Sequence, residues 1–349
     1  MTEIDIFDTA EMLEAIEVSQ EPTTFLQTMF FPDERIHGSV TIDFDLRKKK
    51  RRIAAYVSRR AEGQNVEKTK FKQFTYEAPY VKPKKTITVS DLLRRNLGEI
   101  RWVNGLSQLA AAGQKLQEEF DDLDEMITRT EEQQASEILL TGKLNPLDEN
   151  GKIVGDEIDF TRDAGNTVTL SGGQLWDSST GKILENLRTW KRIVSLGSGV
   201  LPPIAVAGSA AVDAMLADDE VREVLDNRRF IDNEIAMRAE GMNATFVGRI
   251  EELMIFAYDG IFIDSSTGSD VVKNFVPADQ FILGGPETNM RNYGVIEWME
   301  DDSEVLFAAK RLPVSWTEKD PAKRYLQVHS APLLVTKNPD TILAAKVTA

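Results

Sequence analysis

Two histidines and no cysteine restrict the chemistry open to this 349-residue chain from the outset. Without thiols there is no cysteine nucleophile and no Cys-ligated zinc, and the composition fits a reducing compartment. His37 and His329 are far apart, each in a strand-like stretch with no second ligand at metal spacing, and both read as structural side chains. A serine hydrolase needs its nucleophile on a strained turn of the Gly-x-Ser-x-Gly kind, which Gly197-Ser198-Gly199 does not provide. A phosphate loop needs four residues between its glycines and Ser or Thr after the lysine. Here seven residues separate Gly173 from Gly181, and Ile183 follows Lys182. Neighbouring acids such as Asp121-Asp122 and Asp301-Asp302 read as solubility and interface charge on a solvated surface. The run Arg47 to Arg52 is suited to gripping phosphates, with Tyr56, Phe71, Phe74 and Tyr76 as stacking partners. Those aromatics alternate like the inner face of a strand, however, and the acidic remainder repels nucleic acid, so DNA contact is expected to be non-specific. No catalytic residue, cofactor or metal is expected.

Charge is distributed unevenly. The net value is −16, yet Arg47 to Arg101 holds 17 Lys/Arg against 5 Asp/Glu, while the rest of the chain holds 24 against 52. A basic segment attached to an acidic body suits electrostatic pairing between copies, basic surface on acidic surface. The composition, 42 % hydrophobic and 28 % charged, is that of a folded protein. No run of 18 apolar residues is present, and Met1 to Ala10 lacks a basic start and an apolar core, so neither a membrane span nor a secretion signal is expected.

The main structural element expected is one long helix, about Asn104 to Thr141, closed by Gly142. Leu106, Leu109, Leu116, Phe120, Leu123 and Ile127 recur at helical steps on one side. Nine acids between Glu118 and Glu137, opposed only by Arg129, predict an acidic outer face that includes Glu131 and Glu132. At 1.5 Å per residue such a helix is roughly 55 Å long and needs a long partner. Gly113, Thr130 and Gln134 interrupt a coiled-coil seam, which favours a spine laid across a sheet.

Residues 1–35 read as an arm, with a helix from Thr9 to Val18 and an apolar cluster of Phe25, Leu26, Met29, Phe30 and Phe31 that must dock elsewhere. Val40 to Leu46 alternates as a strand. Ile53 to Ser58 and Val66 to Tyr76 read as a ribbon with Lys68, Lys70 and Lys72 on one face, and Ser90 caps a short helix to Leu97. Beyond the spine, Lys152 to Phe160 and Asn166 to Leu170 suggest a hairpin, and Ile183 to Val194 a helix closed by Gly197. Strands Leu253 to Tyr258 and Ile261 to Asp264 meet at Asp259-Gly260, a hairpin signal. The tail is strand-rich, and Arg324 to Val335 returns to the sheet under the spine.

Four separated stretches resemble the phage lambda major capsid protein family in the same order. They are Ala55-Tyr56-Val57-Ser58 through Pro79-Tyr80-Val81-Lys82-Pro83-Lys84; Val224-Leu225-Asp226-Asn227-Arg228-Arg229; Lys273-Asn274-Phe275-Val276-Pro277 with Ile282-Leu283-Gly284 and Arg291-Asn292-Tyr293-Gly294; and Gln327-Val328-His329-Ser330-Ala331-Pro332-Leu333-Leu334. The resemblance implies an α+β chain with the tailed-phage major capsid fold. Its parts are an N-terminal arm (1–46), an extended β-hairpin loop (47–85), a peripheral domain (86–199 and 295–349) with the spine helix, and an axial domain (200–294). It also implies a non-enzymatic role: homo-pentamers and homo-hexamers closing into an icosahedral virion shell around the genome, made in the host bacterial cytoplasm. Scaffold and portal proteins are the expected partners; lambda itself adds a decoration protein, a need that no residue of this sequence establishes. Contacts between copies are expected at Phe25, Phe30, Phe31, Arg59, Arg60, Lys68, Lys70 and Lys72. The shell of an encapsulating microbial compartment is the alternative, and the lambda-like motifs weigh against it.

Overall fold

The computed structural model describes residues 24–46, 72–88, 106–148, 151–225, 243–264, 269–286, 289–300, 303–320 and 322–349, with the single positions 56, 60 and 62. Its helices are α1 (Phe25–Phe30), α2 (Leu106–Thr141), α3 (Ile183–Ser198), α4 (Ser209–Ala217) and α5 (Asp219–Val224). The 36-residue α2 is the spine. Phe120, Leu123 and Ile127 follow the helical period onto one face and pack on Ile87, Leu326 and Val328. These last three belong to an antiparallel sheet of Leu312–Lys319, Ala322–His329 and Lys84–Thr88. The spine therefore lies across a sheet, as its single apolar stripe requires.

The end of α2 is fixed by two features. Gly142 adopts φ +73° and donates its N–H to the Ile138 carbonyl at 2.9 Å, closing the last turn. Arg162 donates to the carbonyls of Leu139, at 2.7 Å, and Leu140, placing a cation at the negative end of the helix. Burial pulls this guanidinium down to about 10, against the opposing pull of Asp340. A side chain at position 142 would meet Arg162 Cβ at 2.9 Å, so glycine is needed for space as well as for φ.

A six-stranded sheet occupies the other half of the core, in the order Thr167–Thr169, Leu343–Lys346, Gln280–Gly284, Ile204–Ala207, Leu253–Tyr258 and Ala244–Ile250. Its central strands are covered on both sides, which is why they read as unbroken apolar runs. Ala205, Ala207, Ile255, Phe281 and Leu283 face α3, α4 and α5 through Leu187, Trp190, Val194, Met215 and Val221. The alternate residues Ile204, Val206, Met254, Phe256 and Ile282 face α1 and the C-terminal half of α2. Strands from 200–294 thus share one sheet with strands from 167–169 and 343–346.

Several local expectations are corrected. Leu253–Tyr258 and Ile261–Asp264 do not pair with each other. A strand buried on both faces needs two neighbours, and the first takes Ile204–Ala207 and Ala244–Ile250, while the second pairs with Val271–Asn274. Gly260 sits against the Tyr258 ring, where a Cβ would lie 2.4 Å from ring carbon, and turns the chain between the two sheets. Ile158–Asp159 pairs with Lys143–Leu144, and Thr167–Thr169 with Leu343–Lys346, so the hairpin expected between 152–160 and 166–170 is absent. Helix α3 continues through Gly197 and stops at Gly199, which has φ +91°. Thr41–Leu46 pairs with Lys72–Glu77 as a two-stranded ribbon, whereas the expected partner strand of 66–76, Ile53 to Ser58, is not among its described pairings. The expected helices Thr9 to Val18 and Ser90 to Leu97, and the strand Ile53 to Ser58 apart from the exposed Tyr56, lie outside the described residues.

Candidate assembly site

The acidic face of the spine is not wholly outside. Glu131 and Glu132 are 1 % and 0 % exposed, and they sit at the helical positions that continue the stripe from Leu123 and Ile127 to Ala135 and Ile138. Glu132 accepts from the backbone N–H of Leu26 at 2.7 Å and of Gln27 at 3.0 Å, so one carboxylate serves the open N-terminal turn of α1. The Tyr258 hydroxyl donates to it at 2.8 Å, and Gln27 Nε2 donates to the Thr128 carbonyl at 2.9 Å. Burial pushes the Glu132 carboxyl above its ordinary pKa, while these backbone donors and Tyr258 pull it back. Burial, then the nearby Glu132, pushes the Tyr258 hydroxyl up.

Glu131 is served by Arg311, whose Nη1 lies 2.7 Å from its Oε1. Arg311 is itself 6 % exposed and also donates to Asp124 at 2.6 Å and Ser330 at 3.0 Å. Burial disfavours its charge, yet Glu131 and Asp124 outweigh that and hold the guanidinium above its ordinary pKa. Tyr293 donates to the other oxygen of Glu131 at 3.4 Å. Next to this pair, Arg291 donates to the Phe31 carbonyl at 3.0 Å and lies 2.7 Å from Glu34. The arm, the spine, the strand Asn289–Tyr293 and the turn at Arg311 are thereby tied into one buried polar brace. Gln134 and Ser136, further along α2, donate to the carbonyls of Pro332 and Phe275. Polar residues that weaken a coiled-coil seam here fasten the helix to strands.

The same arrangement places the arm, which was expected at contacts between copies. Phe25, Phe30 and Phe31 are 0 % exposed within their own chain, with the Phe25 ring 5.4 Å from Phe256 and 5.2 Å from Tyr258. Of the basic candidates, Arg60 is exposed, Lys72 belongs to the ribbon strand, and Arg59, Lys68 and Lys70 lie outside the described residues. Part of the basic segment is used internally: Lys85 bonds Glu119, at 2.5 Å, and Asp122 on the spine.

The strand pair Thr41–Leu46 and Lys72–Glu77 is held by an aromatic ladder. Phe44 stacks on Phe74 and Tyr76 at 5.8 Å each, and its other edge meets Phe160 at the same separation. A second ribbon, Ile261–Asp264 with Val271–Asn274, has one covered face, where Phe262 stacks on Phe275 at 5.0 Å. Its other face carries Ile261, Ile263 and Val272, which are 57 %, 64 % and 62 % exposed. Three β-branched aliphatic side chains side by side in water form an open apolar patch on an anchored strand pair. Neither this ribbon nor the brace was expected from the sequence; the helical step from Ile127 to Glu131 was the available signal for the latter.

The model of the family described as phage major capsid protein E matches residues 8–347. The chain belongs to that family. It is 27 % identical over 301 residues to the major capsid protein of Escherichia phage N15, covering 84 % of this chain and 85 % of that one. Identity to the major capsid protein of Escherichia phage lambda is also 27 %, over 303 residues with the same coverage. The structure of a prophage capsid protein from E. coli CFT073 superposes with a TM-score of 0.76 at 19 % identity, covering 98 % of this chain and 99 % of that one. The capsid of Ralstonia phage GP4 gives 0.56 at 11 %, covering 95 % and 93 %. The fold is that of tailed-phage major capsid proteins, and the chain is a capsid structural protein of this kind. Among the described residues no helix is long and apolar enough to cross a membrane.

Two measurements check the polar core. Replacing Arg311 by Met strands Glu131 in the interior and is expected to cost about 3–5 kcal/mol in urea unfolding of the unassembled chain. Adding Glu131→Leu is expected to recover most of that loss, whereas additive losses would contradict a coupled brace. His329 supplies the second. Its Nδ1 lies 2.7 Å from the Tyr80 hydroxyl, its Nε2 is buried without a partner, and burial with the nearby Lys82 pulls its pKa down to about 4. The unfolded chain takes up this proton near its ordinary value of 6.5, so the stability His329 carries is present above that pH and is lost as pH falls towards 4. The wild-type Tm is expected to drop more steeply than that of His329→Gln between pH 6.5 and 4; parallel curves would contradict this.

Proposed function

We propose that this chain builds an icosahedral shell from homo-pentamers and homo-hexamers, and that the shell encloses the packaged genome. In this reading residues 1–46 act as the arm, 47–85 as an extended loop reaching a neighbouring copy, 86–199 with 295–349 as the peripheral domain, and 200–294 as the axial domain. Assembly takes place in the bacterial cytoplasm on scaffold and portal proteins, a decoration protein is a candidate later partner, and DNA is contacted without sequence preference. The role is structural, and no catalytic group is assigned.

The observation that carries this reading is the open face of Ile261, Ile263 and Val272 on a ribbon anchored by Phe262. Covering one such side chain is worth roughly 1.5–3 kcal/mol, and a closed shell repeats the contact in every subunit. Heterologous contacts of this sort close into rings. The exposed Arg60 and the Arg47 to Arg52 run supply electrostatic steering that weakens as salt rises.

Negative-stain microscopy with sedimentation, with and without scaffold and portal products at low and high salt, tests the reading. Closed shells or rings are expected, and a monodisperse monomer under every condition would overturn it. Ile263→Asp is expected to leave the monomer's stability within about 0.5 kcal/mol, because the site is exposed, while sharply reducing the yield of shells. Unchanged yield would remove this ribbon from the interface.

A further inference from the structure

Just beyond the spine, after the short strand Lys143–Leu144, the chain reads Asn145-Pro146. An asparagine most readily cyclises when the backbone nitrogen of the next residue attacks its side-chain amide, which deamidates the chain without cutting it. Proline has no N–H, so that route is closed at this position. The reaction left open runs the other way. The side-chain nitrogen attacks the asparagine's own backbone carbonyl and expels the proline nitrogen, and the chain is cut.

The surroundings of Asn145 supply what this reaction needs. Asn145 Nδ2 donates to Glu137 Oε1 at 3.0 Å, so the attacking nitrogen already rests on a base. The same oxygen accepts from the Asn145 backbone N–H at 3.0 Å, which holds the main chain of that residue beside its own side chain. Burial pushes the Glu137 carboxyl above its ordinary pKa, against the pull of its two bonds to Asn145 and with a smaller push from Glu157. A carboxylate of this kind is a better proton acceptor than one in water. The far end of the amide, Oδ1, is buried with no hydrogen-bond partner. An unmet buried acceptor is costly, and the amide is oriented from its nitrogen end by Glu137.

We propose that Asn145-Pro146 is a self-cleavage site, with Asn145 Nδ2 as the nucleophile and Glu137 as its general base. A bond forms between Nδ2 and the backbone carbonyl carbon of Asn145. The proton of Nδ2 passes to Glu137 and from there to the proline nitrogen, as the bond from that carbon to the proline nitrogen breaks. The products are a fragment 1–145 ending in a cyclic imide and a fragment 146–349 beginning with the secondary amine of Pro146. No water, oxidant or second molecule is consumed, and each chain reacts once. The two fragments stay packed together, because Lys143–Leu144 pairs with Ile158–Asp159 and the spine lies on Leu326 and Val328. The cut is therefore seen only after denaturation, and it does not depend on shell assembly.

Intact-mass spectrometry of the purified full-length chain, incubated at neutral pH and denatured before measurement, tests it. The expected products are the fragments 1–145 and 146–349, with masses that initially sum to that of the whole chain and gain a water only later, as the imide opens. The same chain held in urea loses the contact between Glu137 and Asn145 and is expected to be cut on the order of a hundredfold more slowly. Glu137→Gln is expected to slow the cut of the folded chain to a similar extent. Pro146→Ala restores the missing N–H and is expected to replace cleavage by deamidation of Asn145. A chain that stays whole, fragments that carry an added water from the first time point, or equal rates in the folded and urea-unfolded chain would each overturn the proposal. The comparison with urea uses the wild-type chain alone, so it decides the matter even where a variant fails to fold.

Discussion

Two adjacent carboxylates buried on one helix impose the constraint around which this molecule is organised. Removing Glu131 and Glu132 from water is costly unless donors replace the lost hydration. The chain meets the requirement with parts drawn from distant positions: the first turn of α1 and Tyr258 for Glu132, Arg311 and Tyr293 for Glu131. Each donor must arrive at a set place and angle, which apolar packing alone does not enforce. A six-residue helix, too short to persist by itself, is thereby held at one register on the spine.

The rest of the architecture follows from that anchoring. With α1 seated, Phe25, Phe30 and Phe31 complete the core between the spine and the six-stranded sheet, and Arg291 and Glu34 hold the strand that follows. The spine contacts the Ala322–His329 sheet through Phe120, Leu123 and Ile127 at its middle and this core with its C-terminal end. Arg162 and Gly142 fix where it ends. Around this body strand pairs lie at the surface, among them one based on the Phe44, Phe74 and Tyr76 ladder and another on Phe262 and Phe275. A capsid subunit needs this division between a fixed interior and projecting contact elements.

Elements with a strong period were legible in the sequence: the spine, α3, the alternating strand 41–46 and the apolar strands 204–207 and 253–258. Partner choice was not, because a strand buried on both faces carries no mark of which neighbours it takes, and Asp259-Gly260 looks like a hairpin turn whether it reverses the chain or redirects it. The arm's apolar cluster was visible, but whether it docks on its own chain or on a neighbour depends on Glu132, an acid that composition assigns to the surface. The same habit hid the candidate site. Glu131 and Glu132 lie in step with Ile127 and Ile138, and periodicity placed them inside where residue type suggested outside. Arg311, about 180 positions from Glu131, left no local signal at all.

The claim that the arm helix is seated by its own chain's Glu132 is tested most directly by hydrogen exchange of the unassembled protein, followed by mass spectrometry. The backbone amides of Leu26 and Gln27 donate to a buried carboxylate, so residues 24–31 are expected to be protected to an extent comparable with 131–141 before any shell forms. Exchange of 24–31 at the rate of an open chain in the monomer, with protection gained only on assembly, would contradict the account and return the arm to the interface between copies.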